Sequence, residues 1–292
     1  MAENEFKDLQ KFSKAVGISP ERLIQAYEIE KEFHYKILNE SSKQERKKLY
    51  HEVYPKVHKI YGKAESDITT NQNPKEFLVT ILKKELENKS ILDVGCGEGY
   101  FLSAVADKLK SQELVGIDIS IPPKSFLHKS IKFVKSDIID FILNDKFDVV
   151  IADQVLEHIA PADLPSFFSS VKNVIKSGGK FILLLPNLLF GPSDVTRIKD
   201  YSQSGKIKAE GTHLFETTYA ELLPILENYG FKNFRTICQI PKLKKWVPNL
   251  RYNAQIMKFV ENNKFLLEFI YKLKYRGFPL LRFEIVLICS VT

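Results

Sequence analysis

The rhythm of hydrophobic and polar positions changes once along the chain, at Ser90. Before it, Leu23, Ile24, Tyr27, Phe33, Ile37 and Leu38 recur at helical spacing behind Ser19-Pro20-Glu21, where Ser caps and Pro opens a helix. A second run, Lys43 to Tyr61, alternates its charges, and Asn73-Pro74-Lys75 opens a third that sets Phe77, Leu78, Ile81 and Leu82 on one side. His51 and His58, seven apart, read as part of a solvated helix face and receive no function. After Ser90 short β-rich runs alternate with helical ones. Strands are predicted over 90–94, 113–118, 131–135, 147–152, 180–185, 231–239 and 283–290. Helices are predicted over 100–110, 162–176 and 217–229, with a short Pro-containing helix before the third strand. This alternation implies an α/β fold, a seven-stranded, mostly parallel sheet with helices on both faces. The chain divides into a helical extension or lid (1–72), a central domain (73–239), a basic, aromatic helical insertion between strands six and seven (240–281) and a final strand (282–292).

Composition narrows the class. With 292 residues, 44% apolar and 27% charged, the chain is neither collagenous nor disordered. Cys96, Cys238 and Cys289 form no C-x-x-C pair, so a disulfide framework or structural zinc is not expected and a reducing, cytoplasmic setting is. The start lacks the apolar stretch of a signal peptide, and the longest apolar run, Phe181 to Phe190, is broken by Pro186 and Asn187; no membrane span is expected. The net charge of +7 is carried entirely by the end of the chain, where residues 231–292 hold 12 Lys or Arg against 3 Asp or Glu. Over residues 242–282 these bases are interleaved with aromatics, a pattern that suits phosphates or the surface of an anionic membrane, or a solvated face above an aromatic core.

The chemistry concentrates in Asp93-Val94-Gly95-Cys96-Gly97-Glu98-Gly99-Tyr100, where a strand ends in a Gly-x-Gly-x-Gly loop that runs into a helix. Such glycines let the chain turn sharply and bring backbone amides against a ligand at a helix N-terminus. Asp118 ends the next strand, where a carboxylate can accept both hydroxyls of a ribose. A dinucleotide fingerprint would need Gly at position 100, which is Tyr100, and no P-loop Gly-Lys-Ser/Thr occurs.

These residues, together with Ser136-Asp137-Ile138, Phe147-Asp148-Val149-Val150, Leu156-Glu157-His158-Ile159 and Ile175-Lys176-Ser177-Gly178-Gly179, resemble in order and spacing the class I S-adenosylmethionine-dependent methyltransferases. The resemblance covers about residues 73–239 and the last strand, with Ser177 where the family has Pro. It implies a Rossmann-like fold and S-adenosyl-L-methionine as cofactor. By the same resemblance Asp93 and the glycines Gly95, Gly97 and Gly99 would cradle the methionine end, and Asp118 the ribose. Asp137 and Ile138 would hold the adenine, and Ala152, Asp153 and Gln154 the region of the sulfonium.

An oxygen or nitrogen acceptor loses a proton as it attacks, and two histidines are candidate bases. His158, with its neighbour Glu157, follows strand four; His213 sits in the long connection from Pro186 to Phe215, where Thr212 or Glu216 is a candidate cap for the next helix. Glu157, His158 and His213 also resemble part of the Glu-x-x-Glu-His divalent-ion site of ubiquinone-biosynthesis O-methyltransferases and small-RNA 2′-O-methyltransferases. The first Glu is Gln154 here, and a neutral amide weakens a hard-cation site, so no metal is expected. The insertion is expected to roof the active site, with Lys272, Lys274 and Arg276 toward phosphates, or to pack on the N-terminal helices. The expected activity is methyl transfer to a small or lipid-like acceptor at oxygen, in a cytoplasmic protein with membrane-surface contact through residues 242–282. RNA 2′-O-methylation and cofactor binding without turnover stay open as alternatives.

Overall fold

Period-two alternation sorts the strand residues onto two apolar faces, the mark of a sheet covered on both sides. The computed structural model describes residues 5–61, 73–120, 128–202, 204–238, 246–275, 278–279 and 283–291. In β1 (Ser90–Val94), Leu92 and Val94 face one core and Ile91 the other; in β4 (Phe147–Asp153), Val150 and Ala152 oppose Val149 and Ile151. β5 (Ile175–Leu185) continues the pattern, Phe181, Leu183 and Leu185 against Ile182 and Leu184. With β2 (Glu113–Asp118), β3 (Ile131–Lys135), β6 (Phe231–Ile237), β7 (Arg251–Asn253) and β10 (Ile285–Val291), the strands form one sheet in the order β3-β2-β1-β4-β5-β10-β6-β7. β1 to β5 are mutually parallel, and β10 is antiparallel to both β5 and β6. The chain winds outward in opposite directions from β1 and β4, so a crevice opens at the carboxyl ends of these two strands.

Four helices precede the sheet: α1 (Leu9–Val16), α2 (Pro20–Asn39), α3 (Lys43–Tyr61) and α4 (Glu76–Leu86). The Ser19 hydroxyl caps α2 by accepting from the Arg22 amide, and Pro20 occupies its first position. α4 and α5 (Tyr100–Lys108) cover one face; α6 (Leu164–Val174) and α7 (Tyr219–Asn228) cover the other. The cap of α7 is Thr218, in a reciprocal capping box with Glu221, rather than Thr212 or Glu216. α2 and α3 join the sheet domain through Phe33, Ile37, Val53 and Val57, which pack with Ile139 and Leu214. Arg46 of α3 grips Asp163, at the start of α6, with two hydrogen bonds of 2.9 and 2.6 Å.

The insertion departs from expectation in two ways. Residues 251–253 form an eighth sheet strand, β7, and after α8 (Gln255–Asn262) and α9 (Lys264–Lys272) the short strands β8 (Lys274–Tyr275) and β9 (Phe278–Pro279) make a separate two-stranded sheet. The insertion also does not roof the crevice among its described residues. β7 turns back antiparallel along the open edge of β6, Arg251 pairs with Glu85 of α4 at 2.7 Å, and Ala254, Met257 and Ile270 enter the core beside α7. An unpaired strand edge and an uncovered apolar helix flank are the nearest partners, and they draw the segment around the sheet's side. Residues 240–245, 276–277 and 280–282, the side chains of 274–279, and the Pro-containing segment 121–127 lie outside the described set. Among the described residues no helix is long and apolar enough to cross a membrane.

Candidate functional site

The glycine loop after β1 is held by the next strand. Gly95 and Cys96 donate their amides to the Ile117 carbonyl at 2.8 and 3.1 Å, and the Gly97 amide donates to Asp118 Oδ2 at 3.0 Å. Gly95 has φ +74° and a side chain there would meet Val155 at 2.6 Å; Gly99 has φ +78° and would meet Phe133 at 2.8 Å. The second Asp118 oxygen accepts the Ser120 amide at 3.0 Å, so this carboxylate ties the loop to the end of β2. Asp137 accepts the Ile139 amide at 2.7 Å and faces Lys47 (3.5 Å) and His51 (3.8 Å) of α3.

These groups border a cavity of about 420 Å³ at the carboxyl ends of β1 to β4. Gly95, Gly97, Asp118, Asp137, Ile138 and Gln154 line it, and so does His158. Gln154, directly after β4, has φ +59°, strain of the sort that accumulates where a chain is bent to serve a ligand. Its far wall is α3, through Tyr50, His51, Tyr54 and Pro55. None of these four was singled out from sequence for a role; helical periodicity marks an apolar flank but not the surface it meets.

Four of the candidate cofactor residues are not at the cavity surface. Asp93 is buried beneath the loop, where burial and the charge of Asp153 hold its carboxyl well above the usual range while Lys75 opposes them. Asp153 pairs with Lys75 at 2.6 Å, Ala152 lies in the core, and Gly99 turns away toward Phe133. These four shape the cradle from behind.

The histidines are brought together but do different things. The long connection folds back so that the Glu157 carbonyl accepts the Leu214 and Phe215 amides, while Glu30 accepts the Thr212 amide and His34 bonds the Gly211 carbonyl. His158 and His213 then meet edge to face with ring centres 4.8 Å apart. His158 Nδ1 donates to the Thr212 carbonyl at 3.1 Å, which leaves Nε2 as its basic nitrogen. Burial, and then the His213 charge, lower its pKa to about 3, so it is neutral over the physiological range. His213 does not line this cavity. Burial opposes its charge, but the 2.8 Å hydrogen bond to Glu216 and the charges of Asp194, Glu157 and Glu216 outweigh burial and raise its pKa to about 9. Glu157 is fully buried, its two carboxylate oxygens have no hydrogen-bond partner among the described residues, and burial raises its pKa to about 7 against the pull of His213.

Linkage turns the His213 shift into a prediction. Its folded pKa is above the model-compound value of 6.5, so the stabilisation is complete below pH 6.5 and is lost as pH rises through 9. His213→Gln is expected to flatten the decline in melting temperature between pH 7 and 9, an effect of up to roughly 3 kcal/mol. An unchanged alkaline slope would contradict the assignment.

One donor atom from each of Glu157, His158 and His213 lies within 4.8 Å of the others, which invites a metal. The set fits one poorly. His213 already supplies the positive charge that faces Glu157, and the position of a further carboxylate is Gln154, an exposed neutral amide.

Over 164 residues the chain is 29% identical to a probable S-adenosylmethionine-dependent methyltransferase of Mycolicibacterium smegmatis, an alignment covering 54% of this chain and 57% of that protein. It is also 29% identical over 168 residues to a ubiquinone biosynthesis O-methyltransferase of Vibrio atlanticus, covering 53% and 69%. The chain thus spans little more than half the length of the first of these relatives. A S-adenosylmethionine-dependent methyltransferase structure from Archaeoglobus fulgidus aligns with 77% of this chain and 97% of its own, at 20% identity and a TM-score of 0.49. The methyltransferase domain family matches residues 68–236, more than half of the chain, and the chain belongs to that family.

Proposed function

We propose that this protein transfers a methyl group from S-adenosyl-L-methionine to a hydroxyl of a small or lipid-like acceptor, with His158 receiving the acceptor's proton. The carrying observation is the cavity that joins the glycine loop, Asp118 and Asp137 to His158, whose Nδ1 is bound to the Thr212 carbonyl so that Nε2 carries the lone pair. The cofactor, when bound, supplies an electrophilic methyl carbon and its own leaving group. The chain's part is to bind, orient and dehydrate. Gly95 and Gly97 present backbone to the methionine end, Asp118 the ribose, and Asp137 with Ile138 the adenine. Tyr50, Tyr54 and Pro55 of α3 exclude water from the far side. His213, charged and held by Glu216, is a positioning residue that packs edge to face against the His158 ring.

His158→Gln is expected to leave calorimetric binding of S-adenosylhomocysteine unchanged and to slow label transfer from methyl-labelled cofactor by roughly a hundredfold. Undiminished transfer would remove His158 from the mechanism. Acceptors are sought in fractionated extracts. Label in hydroxylated metabolites or lipids supports the reading; label in RNA alone, or cofactor binding with no transfer to any fraction, overturns it. Transfer is also expected to survive a strong chelator, and loss that Mg²⁺ or Mn²⁺ restores would show that the Glu157, His158 and His213 cluster holds an ion after all.

A further inference from the structure

Eleven large hydrophobic side chains are exposed among the described residues, and seven of them fall between Trp246 and Phe269. Trp246 is 84% exposed, Phe265 78% and Phe259 65%, with Ile256 and Phe269 also more than half exposed. They project from α8, α9 and the segment before β7, whose inward contacts are made by Ala254, Met257 and Ile270. A protein surface seldom leaves so many rings uncovered in one short stretch without a partner.

The sequence that carries them is one-sided in charge. Residues 242–282 contain ten Lys or Arg and two acids, Glu261 and Glu268. Glu261 is buried, accepting from Asn187 and from the Ala220 amide, which leaves Glu268 as the acid exposed on these helices beside Lys264 and Lys272. Aromatic rings that can enter the boundary between headgroups and acyl chains, flanked by lysines that remain in water, are the pattern of an interfacial segment.

We propose that α8, α9 and the preceding Trp246 segment form a docking surface for an anionic phospholipid membrane, which the protein meets peripherally. A second copy of the chain suits this face less well, because a two-fold contact would bring two sets of Lys264 and Lys272 into one interface. RNA also suits it less. Exposed Val247, Leu250 and Ile256 offer bases nothing to stack on, whereas acyl chains bury aliphatic and aromatic surface alike. The surface is fixed to the site's edge, since Tyr271 donates to the Leu189 carbonyl at 3.1 Å and Asn187 to Glu261 at 2.8 Å, both at the start of the connection that carries His213. Docking does not depend on which acceptor is methylated, and its test needs none.

Trp246 is the chain's single tryptophan, so its emission reports on this surface directly. The full chain is mixed with vesicles of phosphatidylcholine alone or with about a third phosphatidylglycerol, and flotation is measured in parallel. The expected result is a blue shift and co-flotation with the anionic vesicles, both weakened by salt. The Phe259→Ser/Phe265→Ser variant should partition roughly tenfold less or weaker still. Lys264→Glu/Lys272→Glu should lose the preference for anionic lipid, and both variants should bind S-adenosylhomocysteine as the wild type does. Unchanged emission and no flotation of the wild type would overturn the proposal, whatever the variants do. So would a dimer that dissociates in the Phe259→Ser/Phe265→Ser variant, or a Trp246 response to polyuridylate that vesicles do not produce.

Discussion

Arg46→Ala is expected to cost about 3–5 kcal/mol and to lower the melting temperature by roughly 10 °C, the largest stability effect of any single change considered for this protein. The reason is the burial of the pair: Arg46 is 4% and Asp163 0% exposed. Nε and one terminal nitrogen of Arg46 hold the two Asp163 oxygens, and the other terminal nitrogen donates to the carbonyls of Glu40 and Ser41 at 2.7 and 2.9 Å. Tyr50 donates to the same carboxylate at 3.0 Å and accepts the Ala160 amide at 2.9 Å. Removing the guanidinium leaves a buried carboxylate without its counter-charge, so most of the cost is the penalty on Asp163. The double variant Arg46→Met/Asp163→Leu should therefore recover a large part of the loss. Tyr50 and Tyr54 ride on the same helix and line the cavity, so Arg46→Ala should also weaken cofactor binding. A melting temperature within about 2 °C of wild type would show that the pair contributes little.

Asp118→Ala should have the largest effect on ligand binding, weakening S-adenosylhomocysteine by roughly a hundredfold with little change in far-ultraviolet circular dichroism. Two losses combine. The Gly97 and Ser120 amides lose their acceptor, so the glycine loop is no longer tied to β2, and the proposed acceptor of the ribose hydroxyls is gone. Ser120→Ala is the control, because it deletes a hydroxyl contact of 3.2 Å and leaves both amide bonds and the Asp118 carboxylate in place; its effect should be small. Calorimetric affinity of Asp118→Ala within about threefold of wild type would show that the carboxylate does not hold the cofactor.

Strands 113–118 and 131–135 have the limits that alternation and flanking residues indicate, and β1 likewise ends at the glycine loop. Local pattern is decisive there because each strand's partners are its neighbours in the winding order and, for β1 and β2, both faces are apolar. The same reasoning failed for the insertion. Its helices are amphipathic in sequence, but amphipathicity states that a flank is to be covered and not by what; the edge of β6 and the flank of α7 decided that. Starting β5 at 180 missed residues 175–179, where Ile175 already pairs with Phe147. The two histidines were equivalent on paper. Burial and the charge of its neighbour keep His158 a neutral imidazole, while the hydrogen bond to Glu216 helps make His213 a cation.

What the amino-acid order determined by itself is the sheet's central winding, the glycine turns and the carboxylates that end β2 and follow β3, all set by interactions within a few residues or between adjacent strands. Only the tertiary structure decided that α3 walls the cavity, that Arg46 finds Asp163 across 117 positions, and that His158 rather than His213 lines the cavity. Those outcomes rest on burial and on charges brought close by the fold, and the cost of an unpaired buried group exists only once water has been excluded.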